Sequence, residues 1–446
     1  MEPERPCLLL NRDIEEDEHF ILRYDASMSM SHVDFLQPFE MISRLMERGP
    51  DQHGSRKVIL INDPVDVQTV MHSPSIVRSE AMRTLAGDGL IFSDGDKWRE
   101  RRRSMQPSFP PADPDRHVGE VDWAVAGLVS RLEDFADGPD TFQLLDEMLR
   151  FTTRLIYRVA FGIELEVDHE TGPMLIRFFD AAARTSMAFI DAQSPLDISA
   201  MRTFQSARKE LDLEIESIIE RGRRTGVGED HVLGVLLRMV SGESGFTEED
   251  VQDEIRTLLL AGAETTSNVL TWLFLLLDAH PNVRSEIESE LDVDSESELL
   301  QASILETLRL FPPVWFISRQ AIAPVTVSEC TFDEGDWAFI CTYLVQRNPD
   351  YWNEPNSFLP GRFAKGFKLP HRYSWFPFGG GRHLCLGKAL GELESFESAR
   401  SIMKSFRLVR ADSEPLPPRI GLVLKPLHDV PMRVERRTSG DDSART

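Results

Sequence analysis

The chain has 446 residues and a formal net charge of -25. That acidic balance weighs against nucleic acid or an anionic membrane surface as a partner and is expected of a soluble protein. Its four cysteines (Cys7, Cys330, Cys341, Cys385) are widely spaced with no Cys-x-x-Cys pair, which argues against zinc and iron–sulfur sites and points to a reducing cytoplasm.

In chain order, the N-terminal Met1–Glu18 resembles neither a signal peptide nor an anchor. Phe20–Tyr24 and Lys57–Ile61 are rich in aliphatic residues and predict strands. Asn62-Asp63-Pro64 is a turn into a helix over Val65–Met71, and Thr84–Gly95, with Gly87, Gly89 and Gly95, predicts a loop. Asp96–Met105 reads as a helix. Trp98 and Arg102, four apart, share one face, while Arg99, Arg101 and Arg103 spread positive charge around the others.

Helical spacing dominates Val118–Gly162, broken at Asp137-Gly138-Pro139, and returns in Pro173–Ile190 and Ser199–Arg223, joined by a turn at Ser194-Pro195. Thr247 is a good N-cap for a helix that opens on three acids and is stopped by His280-Pro281. Such a helix has roughly 32 residues and is about 48 Å long. Its middle is apolar on nearly all sides and should be buried; the longest apolar run, Leu270–Leu277, is too short to span a bilayer. Within that middle lies Ala261-Gly262-Ala263-Glu264-Thr265-Thr266. Gly262 costs roughly 1 kcal/mol relative to Ala, and a buried Glu264 is expensive without a partner. Such a local break of the rules fits either a kink with a water-satisfied carboxylate or a functional site.

Ser297–Leu310 is another helix, with Glu306 and Arg309 on one face and Phe311-Pro312-Pro313 ending it. Val325–Val327 and Trp337–Cys341 predict short strands about the turn Asp333-Glu334-Gly335. Phe378–Gly387 then reads Phe-Gly-Gly-Gly-Arg-His-Leu-Cys-Leu-Gly before a helix over Lys388–Lys404. Glycines let backbone approach a flat ligand, and N–H groups at a helix mouth favour a thiolate at Cys385. Alone, this stretch fits a glycine loop with a small buried cysteine better than it fits a ligand to haem iron. Gly421–Leu424 is a strand or turn, and Arg436–Thr446 reads as a disordered tail.

Five motifs in order resemble the cytochrome P450 family, over about Asp63 to Pro431. They are Trp98-x-x-x-Arg102, the Ala261–Thr266 hexapeptide, Glu306-x-x-Arg309, Pro360-Gly361-Arg362-Phe363, and the loop with Phe378, Gly381, His383, Cys385 and Gly387. The resemblance implies a mainly α cytochrome P450 fold with a small β-rich region: a triangular helical prism with haem between its long central I helix and its L helix. It implies one domain over 1–436, with 437–446 a tail.

Cys385 would be the axial ligand of haem b. Trp98, Arg102, Arg319 and His383 would contact the cofactor, framed by Phe378, Gly381 and Gly387. Glu264 and Thr265 would deliver protons to dioxygen, the co-substrate. Glu306, Arg309 and Arg362 would form a buried structural network. Leu258, Ala261, Val314, Trp315, Phe316, Leu422 and Val423 would line the substrate pocket. Gln346 stands where relatives carry a His.

The implied activity is monooxygenation: hydroxylation or oxidative coupling of a small apolar or aromatic substrate, a small peptide included, in secondary metabolism. No reductase domain follows, so electrons would come from a separate ferredoxin and ferredoxin reductase, docking on Arg99–Arg103. A peroxide-using enzyme and a non-catalytic haem protein that binds ligands are the alternatives; the Glu264–Thr265 pair favours dioxygen.

Overall fold

The computed structural model describes residues 58–437 apart from 79–82, 84–86, 111–112, 168, 170, 191–197, 243–244, 295 and 329. The expected strand at Phe20–Tyr24, the turn at Ser194-Pro195 and the tail beyond Arg437 lie outside the described residues; Arg436 and Arg437, expected in that tail, instead belong to the fold, Arg436 ending a strand and the Arg437 N–H donating to the Ser405 carbonyl at 2.9 Å.

Strand β1 (Val58–Ile61) runs into helix α1 (Pro64–His72), whose cap Asp63 accepts the Val65 N–H at 2.8 Å. Strand β2 (Ile76–Arg78) precedes α2 (Gly95–Met105), capped by Asp94. The basic helix is as expected in extent but not in exposure. Trp98, Arg101 and Met105, at 3–4 spacing, form its buried face, so Arg101 is removed from the solvated patch.

Helices α3 (Val118–Phe135) and α4 (Leu144–Phe161) flank the two-residue strand β3 (Phe142–Gln143). Gly162 ends α4 at φ +64°, a left-handed position that favours glycine. Helices α5 (Thr171–Ile190) and α6 (Ile198–Thr225) pack on each other, followed by α7 (Val232–Ser241).

The expected long helix spans Glu248–Ala279. A capping box between Thr247 and Asp250 opens its first part, α8 (Glu248–Leu259). Leu260–Glu264 then widens into a π-helical turn before α9 (Thr265–Ala279). Every residue from Thr266 to Leu277 is buried, so α9 has no solvent face. Among the described residues this is the one helix long and apolar enough to cross a membrane, but 83% of its most apolar window is enclosed by the protein itself.

Helices α10 (Pro281–Val293) and α11 (Glu298–Leu310) lead to strands β4 (Ile317–Ala321), β5 (Val325–Val327), β6 (Cys330–Phe332) and β7 (Trp337–Ile340). The short α12 (Thr342–Val345) and the long α13 (Lys388–Ser405) follow. Strands β8 (Phe406–Arg410), β9 (Pro418–Ile420), β10 (Leu424–Pro426) and β11 (Pro431–Arg436) complete the described chain. The largest sheet has the order β1-β7-β4-β2, and its register sets Arg78 opposite Arg319. Long central helix, α13 and this sheet edge together enclose one elongated cavity.

Candidate active site

The floor of the cavity is the loop Phe376–Gly387, and its shape explains its glycines. Gly379 and Gly381 have φ of +71° and +62°, where side chains are strained. Gly380 needs room instead: a Cβ there would lie 2.5 Å from the Tyr373 hydroxyl oxygen. The Cys385 N–H closes the loop by donating to the Phe378 carbonyl at 3.0 Å. Phe378, Cys385, Leu386 and Gly387 all face the cavity. The expected bias of Cys385 toward thiolate is present but outweighed. Burial pushes its thiol above the usual range, while the Gly387 N–H and then Arg102 act in the other direction. A bound metal ion reverses that balance, because a coordinating thiol is deprotonated outright.

A buried charge network lies beside this floor and reaches it through Gln346. Glu306 and Arg309 are both fully buried and paired bidentately, at 2.7 and 2.8 Å. Arg362 Nε reaches Glu306 Oε1 at 3.3 Å, and the Leu359 N–H donates to the same oxygen at 3.0 Å. Arg309 also donates to the Pro355 and Gln346 carbonyls. Gln346 extends the network: its Oε1 accepts the Phe376 N–H at 2.8 Å and its Nε2 donates to the Leu308 and Arg309 carbonyls. In place of a His, it ties the end of α11 to the start of the cysteine loop.

One end of the cavity is strongly basic. Trp98, Arg102, Arg319 and His383, the expected cofactor contacts, all line it. Arg102 Nη1 donates to the Leu384 carbonyl at 2.8 Å. His383 stands edge-on to Trp98, 4.6 Å between ring centres, with Nε2 turned to Asp94 at 3.4 Å. Burial lowers its pKa to about 4, so the ring is neutral. Arg78 also lines this end and was missed; only the β2–β4 register shows it beside Arg319. Burial and then Arg319 push Arg78 down to about 9, and burial lowers Arg319 to about 10. Arginines whose charge is disfavoured in this way fit anionic partners. These residues would suit a flat group carrying two carboxylates, and Cys385 would hold its metal. Gly387 leaves the space free, since a Cβ there would meet nothing within 4 Å.

The roof is the π-helical turn. Gly262 packs on Ile156, where a Cβ would lie 2.6 Å from Ile156 Cδ1. The Ala263 carbonyl accepts from Thr152 Oγ1 at 2.7 Å, and the Glu264 carbonyl accepts from Asn268 Nδ2 at 2.7 Å. Such partners satisfy backbone groups at an irregular turn. Thr265 lines the cavity and donates to the Ala261 carbonyl at 2.5 Å. Glu264 is buried behind the wall, with Lys425 Nζ 3.5 Å from Oε1 and no hydrogen-bond partner at Oε2. Burial raises it to about 7, against the opposing charge of Lys425. Lys425 pairs with Asp180 on α5, and Asp180 with Arg419 at 3.1 Å. Thr266 donates to a second buried acid, Glu394, at 2.6 Å.

Of the expected pocket residues, Leu258, Ala261, Val314, Phe316, Leu422 and Val423 line the cavity. Trp315 does not. It is fully buried, 4.4 Å from the Phe316 ring between centroids, and its Nε1 donates to the Gly421 carbonyl at 3.1 Å. The chain bends at Val314, where the Trp315 N–H donates to the Pro313 carbonyl at 3.1 Å; Val314 and Phe316 face the cavity while Trp315 faces the core.

Known proteins agree with this construction. The family model described as cytochrome P450 matches residues 52–430. A protein of Streptomyces melanosporofaciens named cyclooctatin synthase is 27% identical over 418 residues, covering 85% of this chain and 87% of its own. A crystal structure of a six-coordinated cytochrome P450 from Thermus thermophilus superposes with a TM-score of 0.65 at 26% identity, covering 86% and 93% of the two chains. The crystal structure of the cytochrome P450DA heme domain reaches a TM-score of 0.75 at 22% identity, over 86% and 89%, and shows the same fold. Thiol, arginines, helical turn and comparisons agree: this chain belongs to the cytochrome P450 family.

Proposed function

We propose that this haem-thiolate monooxygenase hydroxylates or oxidatively couples a small apolar or aromatic molecule, a small peptide included, in secondary metabolism. Residues 1–436 act as one domain in the cytoplasm, without a nucleic-acid partner, and take electrons from a separate ferredoxin and its reductase. The observation that carries the substrate class is the composition of the distal wall. Leu258, Ala261, Val314, Phe316, Leu422 and Val423 present hydrocarbon and one aromatic ring. Similarity to a protein named for the synthesis of one product, cyclooctatin, supports a biosynthetic role.

When bound, haem supplies dioxygen activation, with electron density pushed from the Cys385 thiolate. Arg78, Arg102 and Arg319 would hold its carboxylates. Thr265 carries a proton at Oγ1 on the cavity wall. Glu264, poised at about 7, exchanges a proton near neutral pH, and Lys425 holds its carboxylate. Asp180 and Arg419, each partly exposed, continue the chain of charge toward solvent. On the opposite face, Trp98, Arg99, Arg102, Arg103 and Gln106 form a shallow basic groove suited to an acidic donor.

A spectral-shift screen of the purified ferric protein tests the substrate class, using a panel of terpenoids, polyketides, fatty acids and aromatic dipeptides. Tight shifts are expected from uncharged apolar members. Tight binding confined to polar or multiply charged ligands overturns the reading.

A further inference from the structure

Two carboxylates outside this proton route hold part of the cavity wall. The loop Gly87–Phe92 crosses the first turns of α8. Asp253 Oδ2 accepts the Asp88 N–H at 2.7 Å, and Glu254 Oε2 accepts the Leu90 N–H at 3.0 Å. The backbone sits directly on the helix: a Cβ on Gly87 would lie 2.0 Å from Asp253 Oδ1, and one on Gly89 2.0 Å from Thr257 Oγ1.

Each carboxylate is itself anchored. Glu254 is fully buried, and its Oε1 accepts from Arg101 Nη1 at 2.7 Å. Arg101, from α2, also donates to Asp250 and to the Asp88 carbonyl of the loop. Asp253 Oδ1 accepts from Arg256 Nη1 at 2.6 Å, and Arg256 Nη2 reaches Asp212 on α6 at 2.7 Å. The loop is thus tied to α2 on one side and, through α8, to α6 on the other. Buried charge pairs of this kind act as a unit, because removing one member strands the rest.

The fastened loop presents Leu90, Ile91 and Phe92 to the cavity, the same cavity that Leu258 and Ala261 line one and two turns further along the long helix. Fixing the Asp88 and Leu90 amides fixes which way these three side chains point.

We propose that Asp253 and Glu254 are positioning residues that set substrate selectivity by clamping the Gly87–Phe92 wall onto α8. This rests on the cavity being the substrate chamber. Neither residue touches the reacting atoms. A clamped wall discriminates by shape, because a rigid apolar surface cannot re-form around a ligand of the wrong outline.

Two measurements on the ferric holoprotein test the clamp: hydrogen exchange at the Asp88 and Leu90 amides, and titration with imidazole and with 4-phenylimidazole. Imidazole reports the iron alone, whereas the phenyl ring must also pack on the wall. In Glu254→Ala both amides should exchange at least ~10-fold faster, and 4-phenylimidazole should bind ~10-fold more weakly, with imidazole affinity and the carbon monoxide band unchanged. Glu254→Gln, which keeps an acceptor for the Leu90 N–H, should restore most of both.

Unchanged exchange overturns the clamp, and so does an equal loss of affinity for the two probes. If Glu254→Ala fails to retain haem, Asp253→Asn decides by the same readouts, with smaller shifts expected and none overturning the proposal. If wild-type protein binds imidazole but gives no shift with 4-phenylimidazole, the substrate-chamber reading fails while the exchange result still stands.

Discussion

The floor and the roof of the cavity are held by different physics. Below, the cysteine loop is fixed through its backbone. Positive φ at Gly379 and Gly381, the close approach of Tyr373 to Gly380, and the bond from the Phe376 N–H to Gln346 leave the main chain little freedom. Above, the apolar wall consists of side chains from four segments far apart in sequence, around residues 90, 260, 315 and 422. A face held through backbone requires particular residues at particular spacings. A face held by side-chain packing requires only apolar character and volume, which many sequences supply.

The largest expected effect breaks the floor outright. Cys385→Ser should abolish the red-shifted Soret band of the reduced carbon monoxide complex. A surviving band would mean that the loop does not ligate iron, and the contrast between the two faces would lose its functional sense.

Next in size is Glu306→Ala. It strands Arg309 and Arg362 without their carboxylate, and losing one member of such a buried network costs about 3–5 kcal/mol. The expected result is a much lower melting temperature with loss of haem on gel filtration. Leu422→Ala, on the roof, should leave haem retention unchanged and weaken substrate binding several-fold. Equal haem loss in both variants would erase the distinction between the faces.

Glu264→Gln probes the roof's chemistry rather than its shape. A removed proton donor slows turnover by about 10²-fold or more, with the carbon monoxide band and substrate affinity preserved. The sign of the pH dependence follows from burial, which raises Glu264 to about 7. Below that value the carboxyl holds its proton and can deliver it; above it the proton is lost. Wild-type turnover should therefore fall between pH 6 and 8, while Glu264→Gln is slow at both. A variant with the wild-type pH profile would exclude Glu264 from proton delivery.

The floor was legible in the sequence for the same reason that it is rigid. Three glycines and a cysteine at fixed spacing, with Glu306, Arg309 and Arg362, correspond to backbone and charge constraints that few substitutions satisfy. The π-helical turn was legible only as a disturbance, through Gly262, Glu264 and Thr265 in an apolar helix; its widened geometry was not. Arg78 carried no local signal, because its partnership with Arg319 is a cross-strand register between segments about 240 residues apart. Trp315 was misplaced because its neighbours, Val314 and Phe316, are equally apolar, and only the bend at Val314 separates wall from core. Gln346 marked a departure from the expected His, but its bonds to both α11 and Phe376 needed the tertiary structure.

A smaller effect than the loss of Glu264 concerns the outer surface of the floor, where α2 turns two faces to different partners. Arg99 and Arg103 are exposed and line the shallow groove, whereas Arg101 is buried in ion pairs with Glu254 and Asp250. Reversing charge in Arg99→Glu/Arg103→Glu should raise the apparent KM for ferredoxin about 10-fold at low salt, and the difference should shrink as ionic strength rises. Haem content and substrate affinity should stay at wild-type values, because neither side chain enters the cavity. Arg101→Glu should behave in the opposite way, placing a third acid beside Glu254 and Asp250 and loosening the Gly87–Phe92 wall before it alters donor binding. If both variants shift KM and substrate affinity alike, α2 does not separate the two functions, and the electron-donor face and the substrate wall are one coupled surface.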